Sequence, residues 1–193
     1  MDRWCGRLTP DELIKEFRDF KLKVINGDIV FNITNSSIRS LGNELDFIKD
    51  TFREDDIITG SIALRLFGLL HRGSNDIDIL IKDKDRYSYI KDDYEWEIPN
   101  RLGYKSFNYR PNFFSKKIEY DVDFFEDLGC NFTEIEIDDL NLSKSCIFLE
   151  KKSIRVHNPI EILDFKMRMA IEAKSDKHND DLTKIFVGIP ERI

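Results

Sequence analysis

Residues 57–81 read IITGSIALRLFGLLHRGSNDIDILI, and this stretch decides the fold that we predict for the chain. It opens with a short apolar strand that stops at Gly60-Ser61, and the apolar run that follows to residue 70 predicts a buried helix. The segment DIDILIK at 76–82 alternates carboxylate and aliphatic side chains before it becomes more apolar, which is typical of a strand. The sequence therefore predicts a strand–helix–strand unit.

The segments on both sides of this unit predict further helices and one more strand. Thr9-Pro10-Asp11-Glu12 has the pattern of a capping box and starts a helix that runs to about residue 24. An apolar stripe over 35–53 predicts a second helix. The segment KIEYDVDFFE at 117–126 alternates again and predicts a strand.

The rest of the chain completes an α+β pattern. CIFLEKKSIRVHN at 146–158 predicts a hairpin with Lys151-Lys152 near its turn, and residues 84–102 are expected to be helical in part. A last helical section begins at Pro159. We therefore expect a small mixed β-sheet core covered by helices over residues 1–157, with a C-terminal helical segment at 158–193 packed on it.

Length and charge limit the classes of protein. The chain has 193 residues, and 30 Lys and Arg against 37 Asp and Glu give a formal charge of −7. Non-specific coating of nucleic acid needs a basic surface, so this class is excluded for the chain as a whole, although a locally basic cleft is not. No apolar run approaches the roughly eighteen residues of a membrane span, and the charged start does not resemble a signal peptide. We expect a cytoplasmic protein without a membrane partner.

The cysteine and histidine residues do not show the spacing of a metal site along the sequence. They are Cys5, Cys130, Cys146, His71, His157 and His178. We therefore expect thiols in a reducing compartment, and the sequence offers no ground for zinc chemistry.

Two carboxylates on the second predicted strand are the first candidates for chemistry. Asp76 and Asp78 share one face of the strand, with their Cα atoms about 6.5–7 Å apart. Carboxylates this close repel each other unless a cation lies between them, and Mg²⁺ prefers such hard oxygen ligands. A third carboxylate from the strand at 117–126, either Asp121 or Asp123, would complete a site for two ions. The cofactor we expect is Mg²⁺, with Mn²⁺ as an alternative.

Gly60 and Ser61 are candidates for holding a triphosphate. A glycine at the end of a strand leaves the backbone open, and the following helix presents unpaired N–H groups and the positive end of its dipole. An anion can bind there, and the Ser61 hydroxyl adds a donor at the same place.

The joint pattern of residues 58–81 resembles the signature of the DNA polymerase β-like nucleotidyltransferase superfamily. The closest likeness is to small bacterial and phage nucleotidyltransferases of the abortive-infection AbiE type and to antibiotic nucleotidyltransferases. The segment PIEILDFKMRMAIEAKSDKHNDDLTKI at 159–185 is similar to the helical part of those proteins. The resemblance covers about residues 57–82, 117–126 and 158–187.

This resemblance implies a polymerase β-like core and an enzyme that moves a nucleoside monophosphate from an NTP to a hydroxyl acceptor with release of pyrophosphate. Asp76 and Asp78 would bind metal, and Asp123 fits the family's apolar–Asp–apolar–apolar pattern better than Asp121 does. Lys166 would reach the nucleotide phosphates. The residues Lys177, His178, Asp180 and Asp181 also fit the family's pattern, and we expect them to act through packing or ion pairs.

The acceptor is left open by the sequence. Residues 101–117 are basic and rich in aromatic side chains, which favours tRNA or another RNA, while a protein or a small molecule stays an alternative. A second reading is a non-catalytic nucleotide-binding component of a toxin–antitoxin or phage-defence pair, with a cognate antitoxin or a second copy as partner. A third is an antibiotic adenylyltransferase whose acceptor pocket uses the acidic residues of 119–139.

Overall fold

A computed structural model describes residues 6–74, 76–82, 95–97, 105–109, 121–126, 129–142 and 147–188, and it shows a mixed α+β fold. The helices are α1 (Pro10–Ile25), α2 (Asn35–Arg39), α3 (Asn43–Thr51), α4 (Gly60–Leu66), α5 (Pro159–Ile171) and α6 (Asp176–Gly188). The strands are β1 (Ile57–Ile58), β2 (Asp76–Ile81), β3 (Glu95–Glu97), β4 (Lys105–Tyr109), β5 (Asp121–Glu126), β6 (Phe132–Leu142) and β7 (Ile147–His157). The fold class predicted from the sequence is confirmed.

The strands form one mixed sheet in the order β3-β4-β5-β2-β1-β7-β6. Strand β2 lies at the centre, where it pairs in parallel with β5 and antiparallel with β1. Strand β1 pairs in parallel with β7, and β6 and β7 form a long antiparallel hairpin. Both acid-bearing strands therefore run side by side in the same direction.

The predicted strand–helix–strand unit forms the centre of the core. Helix α4 is apolar around most of its circumference, and Ile62, Ala63 and Leu64 are each exposed by 1% or less. Such a helix is stable only when it is enclosed by other elements. In β2, the alternate residues Ile77 and Ile79 are fully buried, so this strand is fixed in register with one face in the core.

The terminal helices cover the core together. The capping box at Thr9 and Glu12 is present at the start of α1, as the sequence predicts. Phe17 and Phe20 of α1 pack against Phe186 of α6. Helices α5 and α6 contribute to the same hydrophobic core as the sheet, and no helix of the described residues is both long and apolar enough to cross a membrane.

The prediction of one continuous helix over 35–53 is wrong, because the chain forms two helices there. Gly42 lies between them with a φ of 51°, a left-handed conformation that interrupts the helix and that glycine adopts most readily. The interruption lets Arg65 of α4 donate to the backbone oxygen of Ser40 at 3.0 Å and to Glu44 at 2.5 Å. The polar contacts that hold the buried helix α4 through Arg65 therefore depend on the interruption at Gly42.

The hairpin expected at 146–158 was also placed wrongly. Lys151 and Lys152 do not lie near its turn but in the middle of β7, where they pair with Asp138 and Ile137 of β6. Strand β6 is acidic, and Glu136 accepts a hydrogen bond from Lys151 at 2.8 Å. Lys151 therefore belongs to a cross-strand charge pair, whereas Lys152, opposite Ile137, donates to the backbone oxygen of Lys49.

Two other expectations lie partly outside the described residues. Within 84–102 the structure describes only 95–97, which form a strand and not a helix. Of the strand expected at 117–126, residues 121–126 are confirmed and 117–120 lie outside.

Replacement of Leu13 by alanine tests how α1 packs. Leu13 is fully buried, whereas its neighbour Ile14 is 43% exposed on the other side of the helix. We expect Leu13→Ala to lower the free energy of unfolding by about 2–5 kcal/mol because it leaves a cavity. Ile14→Ala is the matched control and should change it by less than about 1 kcal/mol. Urea unfolding measures both, and equal losses would contradict the described packing of α1.

Candidate functional site

Three carboxylates converge where β2 and β5 run side by side. Asp76 and Asp78 lie two residues apart on β2, and Asp123 of β5 is the direct register partner of Asp78. One carboxylate oxygen of each residue lies within 4.8 Å of the others, and all three side chains are half-buried. We call these residues the acidic cluster. Parallel pairing in register, together with the two-residue period of a strand, is what brings them to one face.

The acidic cluster is electrostatically unfavourable without a cation. Burial, together with the negative charges of Asp76 and Asp123, raises the pKa of Asp78 to about 7. The neighbouring Asp76 behaves differently. Although burial raises its pKa, a hydrogen bond from Ser74 and the charge of Lys177 outweigh this and lower the pKa overall. Near neutral pH, Asp76 is therefore ionised, whereas Asp78 is protonated in part of the molecules.

Gly60 makes room for the acidic cluster. Its φ is +63°, and a Cβ atom added there would lie 1.8 Å from Oδ2 of Asp78. The backbone of the adjacent Thr59 also donates to the carbonyl of Asp78 at 2.9 Å. The carboxylate therefore rests directly against the Gly60 backbone, which explains in physical terms why a glycine stands at this turn.

Ser61 is held by a buried ionic network. Arg72 donates from Nη2 to Ser61 Oγ at 3.2 Å. It also donates to both carboxylate oxygens of Asp181 in α6, each at 2.7 Å. Asp181 also accepts a 2.9 Å hydrogen bond from Lys166 of α5. We call Arg72, Lys166 and Asp181 the Asp181 network. Two cations share one carboxylate, so this network has a net positive charge beside Ser61.

Asp181 and the adjacent His178 both have lowered pKa values. Burial raises the pKa of Asp181, but the hydrogen bond from Arg72 and the charge of Lys166 outweigh it and bring that pKa to about 2. Burial and the charge of Lys166 lower the pKa of His178 to about 4. His178 is therefore neutral at pH 7, and its Nδ1 lies 3.5 Å from the Lys166 ammonium, which can donate to it. The expected ion-pair role of Asp181 is confirmed.

One cavity of about 640 Å³ connects these groups. Its walls include the acidic cluster, Gly60, Ser61, Lys166 and Lys177. Lys177 is more than half exposed and lies 3.4 Å from Asp76, so it sits at the rim. A cavity of this size, lined by three carboxylates and by the ammonium groups of Lys166 and Lys177, fits a small charged ligand together with metal ions.

The structure brings together the residues named from the sequence, with two qualifications. Lys166 is only 3% exposed and is tied to Asp181, so it lines the cavity from within the core. Helix α4 has only seven residues, so the positive charge beside Ser61 comes mainly from Arg72 and not from a long helix dipole. The backbone of Asp121 pairs with that of Asp76, but its side chain lies outside the described ones, as do those of 101–117.

Sequence reasoning missed a second group on the cavity wall. His157 contacts Thr59 Oγ1 through Nδ1 at 2.8 Å and Glu161 through Nε2 at 2.8 Å. Cys130 lies beside them. His157 and Glu161 are four residues apart, but the spacing of Cys130 from His157 carries no signal, because the pairing of β6 with β7 is what brings these two together.

Comparisons of the chain with family models, with curated proteins and with solved structures give no match. The resemblance of residues 57–82 to a nucleotidyltransferase signature therefore stays a prediction from the sequence. The geometry of the acidic cluster and of the cavity is accordingly the main support for a function.

Replacement of Gly60 by alanine should damage the acidic cluster specifically. Gly68 is a matched control, since it also has a positive φ of 70° but would place its Cβ in open space. Both alanine variants should lose about 1–2 kcal/mol of stability from the left-handed conformation. Only Gly60→Ala should also weaken Mn²⁺ binding, by roughly tenfold or more, because the new Cβ displaces Asp78. Calorimetric titration with Mn²⁺ measures this, and equal affinities in the two variants would contradict the described contact.

Metal binding should depend on pH through Asp78. The pKa of this carboxyl is about 7 in the fold against 3.8 for the free group, so the stability it contributes at low pH is lost as pH rises from about 4 to about 7. A cation must displace the proton, so Mn²⁺ affinity should fall by up to about tenfold per unit below pH 7 and level off above it. Titrations between pH 5.5 and 8.5 check this. Asp78→Asn should remove the dependence, and a profile unchanged by this substitution would assign it to another group.

Proposed function

We propose that this protein is a Mg²⁺-dependent nucleotidyltransferase that transfers a nucleoside monophosphate from an NTP to a hydroxyl acceptor and releases pyrophosphate. The observation that carries the proposal is the convergence of three carboxylates on parallel strands, with Asp78 against Gly60, in a cavity that Lys166 and Lys177 also line. A carboxylate cluster facing phosphate-binding cations is what metal-dependent phosphoryl chemistry requires.

The acidic cluster fits magnesium by the chemistry of its donors. Three carboxylates within 4.8 Å of one another offer hard oxygen ligands. Burial, and after it the negative charges of Asp76 and Asp123, raises the pKa of Asp78, and a bound cation would offset both effects. Asp76, Asp78 and Asp123 would hold one or two Mg²⁺ ions, or Mn²⁺ in their place. Such ions supply neutralisation of the phosphate charge and a lowered pKa for a bound hydroxyl.

Lys166 and Ser61 would bind the triphosphate. The Lys166 ammonium has three N–H donors, of which two are directed to Asp181 and His178, and the third would donate to a phosphate oxygen. Ser61 Oγ accepts from Arg72 and would donate its own proton to the same phosphate. Because Asp181 fixes both Arg72 and Lys166, these donors are oriented before the nucleotide arrives, which reduces the entropy lost on binding.

Asp123 would act on the acceptor. It stands opposite Asp78 on the neighbouring strand, at the edge of the acidic cluster, and would help to remove the proton of the attacking hydroxyl. For the acceptor we propose an RNA such as tRNA, bound through the basic and aromatic residues of 101–117, and we place the reaction in the cytoplasm, where NTPs are abundant. A cognate antitoxin or a second copy of the chain would be the protein partner.

The test is transfer of label from each α-³²P-labelled NTP, with Mg²⁺, to cellular RNA, protein and small-molecule fractions. The wild type should label one fraction and release pyrophosphate. Asp78→Asn and Asp123→Asn should each lower the rate by at least about 100-fold, because each loses a metal ligand. Asp180→Asn is the matched control, since Asp180 pairs with Arg7 on the outer side of α6.

Other outcomes would identify the rival functions. Tight Mg²⁺-dependent NTP binding without labelling of any fraction would contradict the proposal and favour a non-catalytic component of a toxin–antitoxin or phage-defence pair. Labelling of an aminoglycoside-like cation in place of RNA would keep the chemistry and replace the acceptor, as in an antibiotic adenylyltransferase. Normal turnover by Asp78→Asn would refute the assignment of the acidic cluster.

A further inference from the structure

A second set of metal-type donors lies in the cavity wall, apart from the acidic cluster. Cys130, His157 and Glu161 each offer one ligand atom, and the three atoms lie within 4.8 Å of one another. We call these residues the Cys–His–Glu cluster. They are a thiol, an imidazole and a carboxylate, which differ in kind from the three carboxylates nearby.

The fold brings these three residues together at the open end of the β6–β7 hairpin, opposite its turn. His157 is the last residue of β7 and pairs in register with Phe132, so Cys130 lies two residues beyond that pair. The backbone N–H of Asn158 donates to Asn131 at 2.8 Å and closes this end of the hairpin. Glu161 follows in the first turn of α5. Each residue is therefore anchored by a regular element or by a backbone hydrogen bond next to it.

Two of the three donors are oriented from outside the cluster. Thr59 Oγ1 contacts His157 Nδ1 at 2.8 Å, which leaves Nε2 directed towards Glu161. Asn131 donates to Glu161 twice, from Nδ2 to Oε1 at 2.5 Å and from its backbone N–H to Oε2 at 3.1 Å. Hydrogen bonds of this kind, which fix the ring orientation of a histidine and the direction of a carboxylate, accompany metal ligands in proteins.

We propose that Cys130, His157 and Glu161 form a second metal site that takes a borderline ion of the Zn²⁺ class, with the fourth coordination position open to the cavity. Thiolate and imidazole ligands favour Zn²⁺ over Mg²⁺, and three protein ligands with one open position are the usual number for an accessible zinc site. The proposal goes beyond nucleotidyl transfer and does not depend on it.

The distance between His157 and Glu161 requires only a small adjustment. His157 Nε2 and Glu161 Oε2 are 2.8 Å apart. Two metal bonds of about 2.0–2.1 Å at a tetrahedral angle place their donor atoms about 3.3 Å apart. The two side chains would therefore separate by about half an ångström, and Glu161 can supply this because its side chain is 34% exposed.

Cobalt substitution tests the site, because Co²⁺ bound to a thiolate absorbs in the near ultraviolet. The protein to use is the full chain with Cys5→Ser and Cys146→Ser, which leaves Cys130 as its one cysteine, in a buffer with excess Mg²⁺ that occupies the acidic cluster. Titration with Co²⁺ should give a one-to-one thiolate-to-cobalt band that Zn²⁺ displaces. Cys130→Ser should abolish the band.

The ligand variants separate the cluster from incidental thiol binding. His157→Gln and Glu161→Gln should each weaken Co²⁺ affinity by roughly tenfold or more. His71→Gln is the matched control, since His71 is exposed and lies elsewhere in the structure. Glu161→Gln alters a partly exposed side chain, so it reports on the ligand even if His157→Gln unfolds. Absence of the band in the one-cysteine protein, or unchanged affinity in Glu161→Gln, would overturn the proposal.

Discussion

The repulsion among Asp76, Asp78 and Asp123 is the constraint on which the site depends. The parallel register of β2 and β5 sets Asp78 directly opposite Asp123. A one-residue shift of β2 would move Ile77 and Ile79 out of the core, and a shift of β5 would move Val122. The surrounding hydrophobic core therefore holds together charges that would otherwise separate. The packing energy of the core offsets the repulsion among the three carboxylates. Such unfavourable charge arrangements are common where a protein binds cations or reacting groups.

The rest of the site partly balances this negative charge without cancelling it. Lys177 lies at the rim beside Asp76, whereas Lys166 and Arg72 are both committed to Asp181. Lys166 and Asp181 are both almost fully buried, so packing fixes the orientation of this pair. The cavity is therefore lined both by the acidic cluster and by Lys166 and Lys177, with Lys177 against Asp76 and Lys166 against Asp181.

The sequence predicted the parts that depend on local pattern and missed those that depend on pairing. The capping box of α1, the alternation in β2 and the Pro-initiated helix α5 are local signals, and each is confirmed. The break at Gly42 was missed because an apolar stripe continues across it. The Cys–His–Glu cluster was missed because Cys130 and His157 meet only through the β6–β7 register, which the spacing of residues does not encode.

Thr59 and Gly60 are consecutive residues, yet they touch different groups of the cavity. The Thr59 hydroxyl is hydrogen-bonded to His157, and the backbone of Gly60 packs against the carboxylate of Asp78. One peptide unit thus connects the two donor sets mechanically. If both proposed sites bind a metal ion, an ion that shifts this unit at one site would alter the geometry at the other, and linkage would make the effect reciprocal.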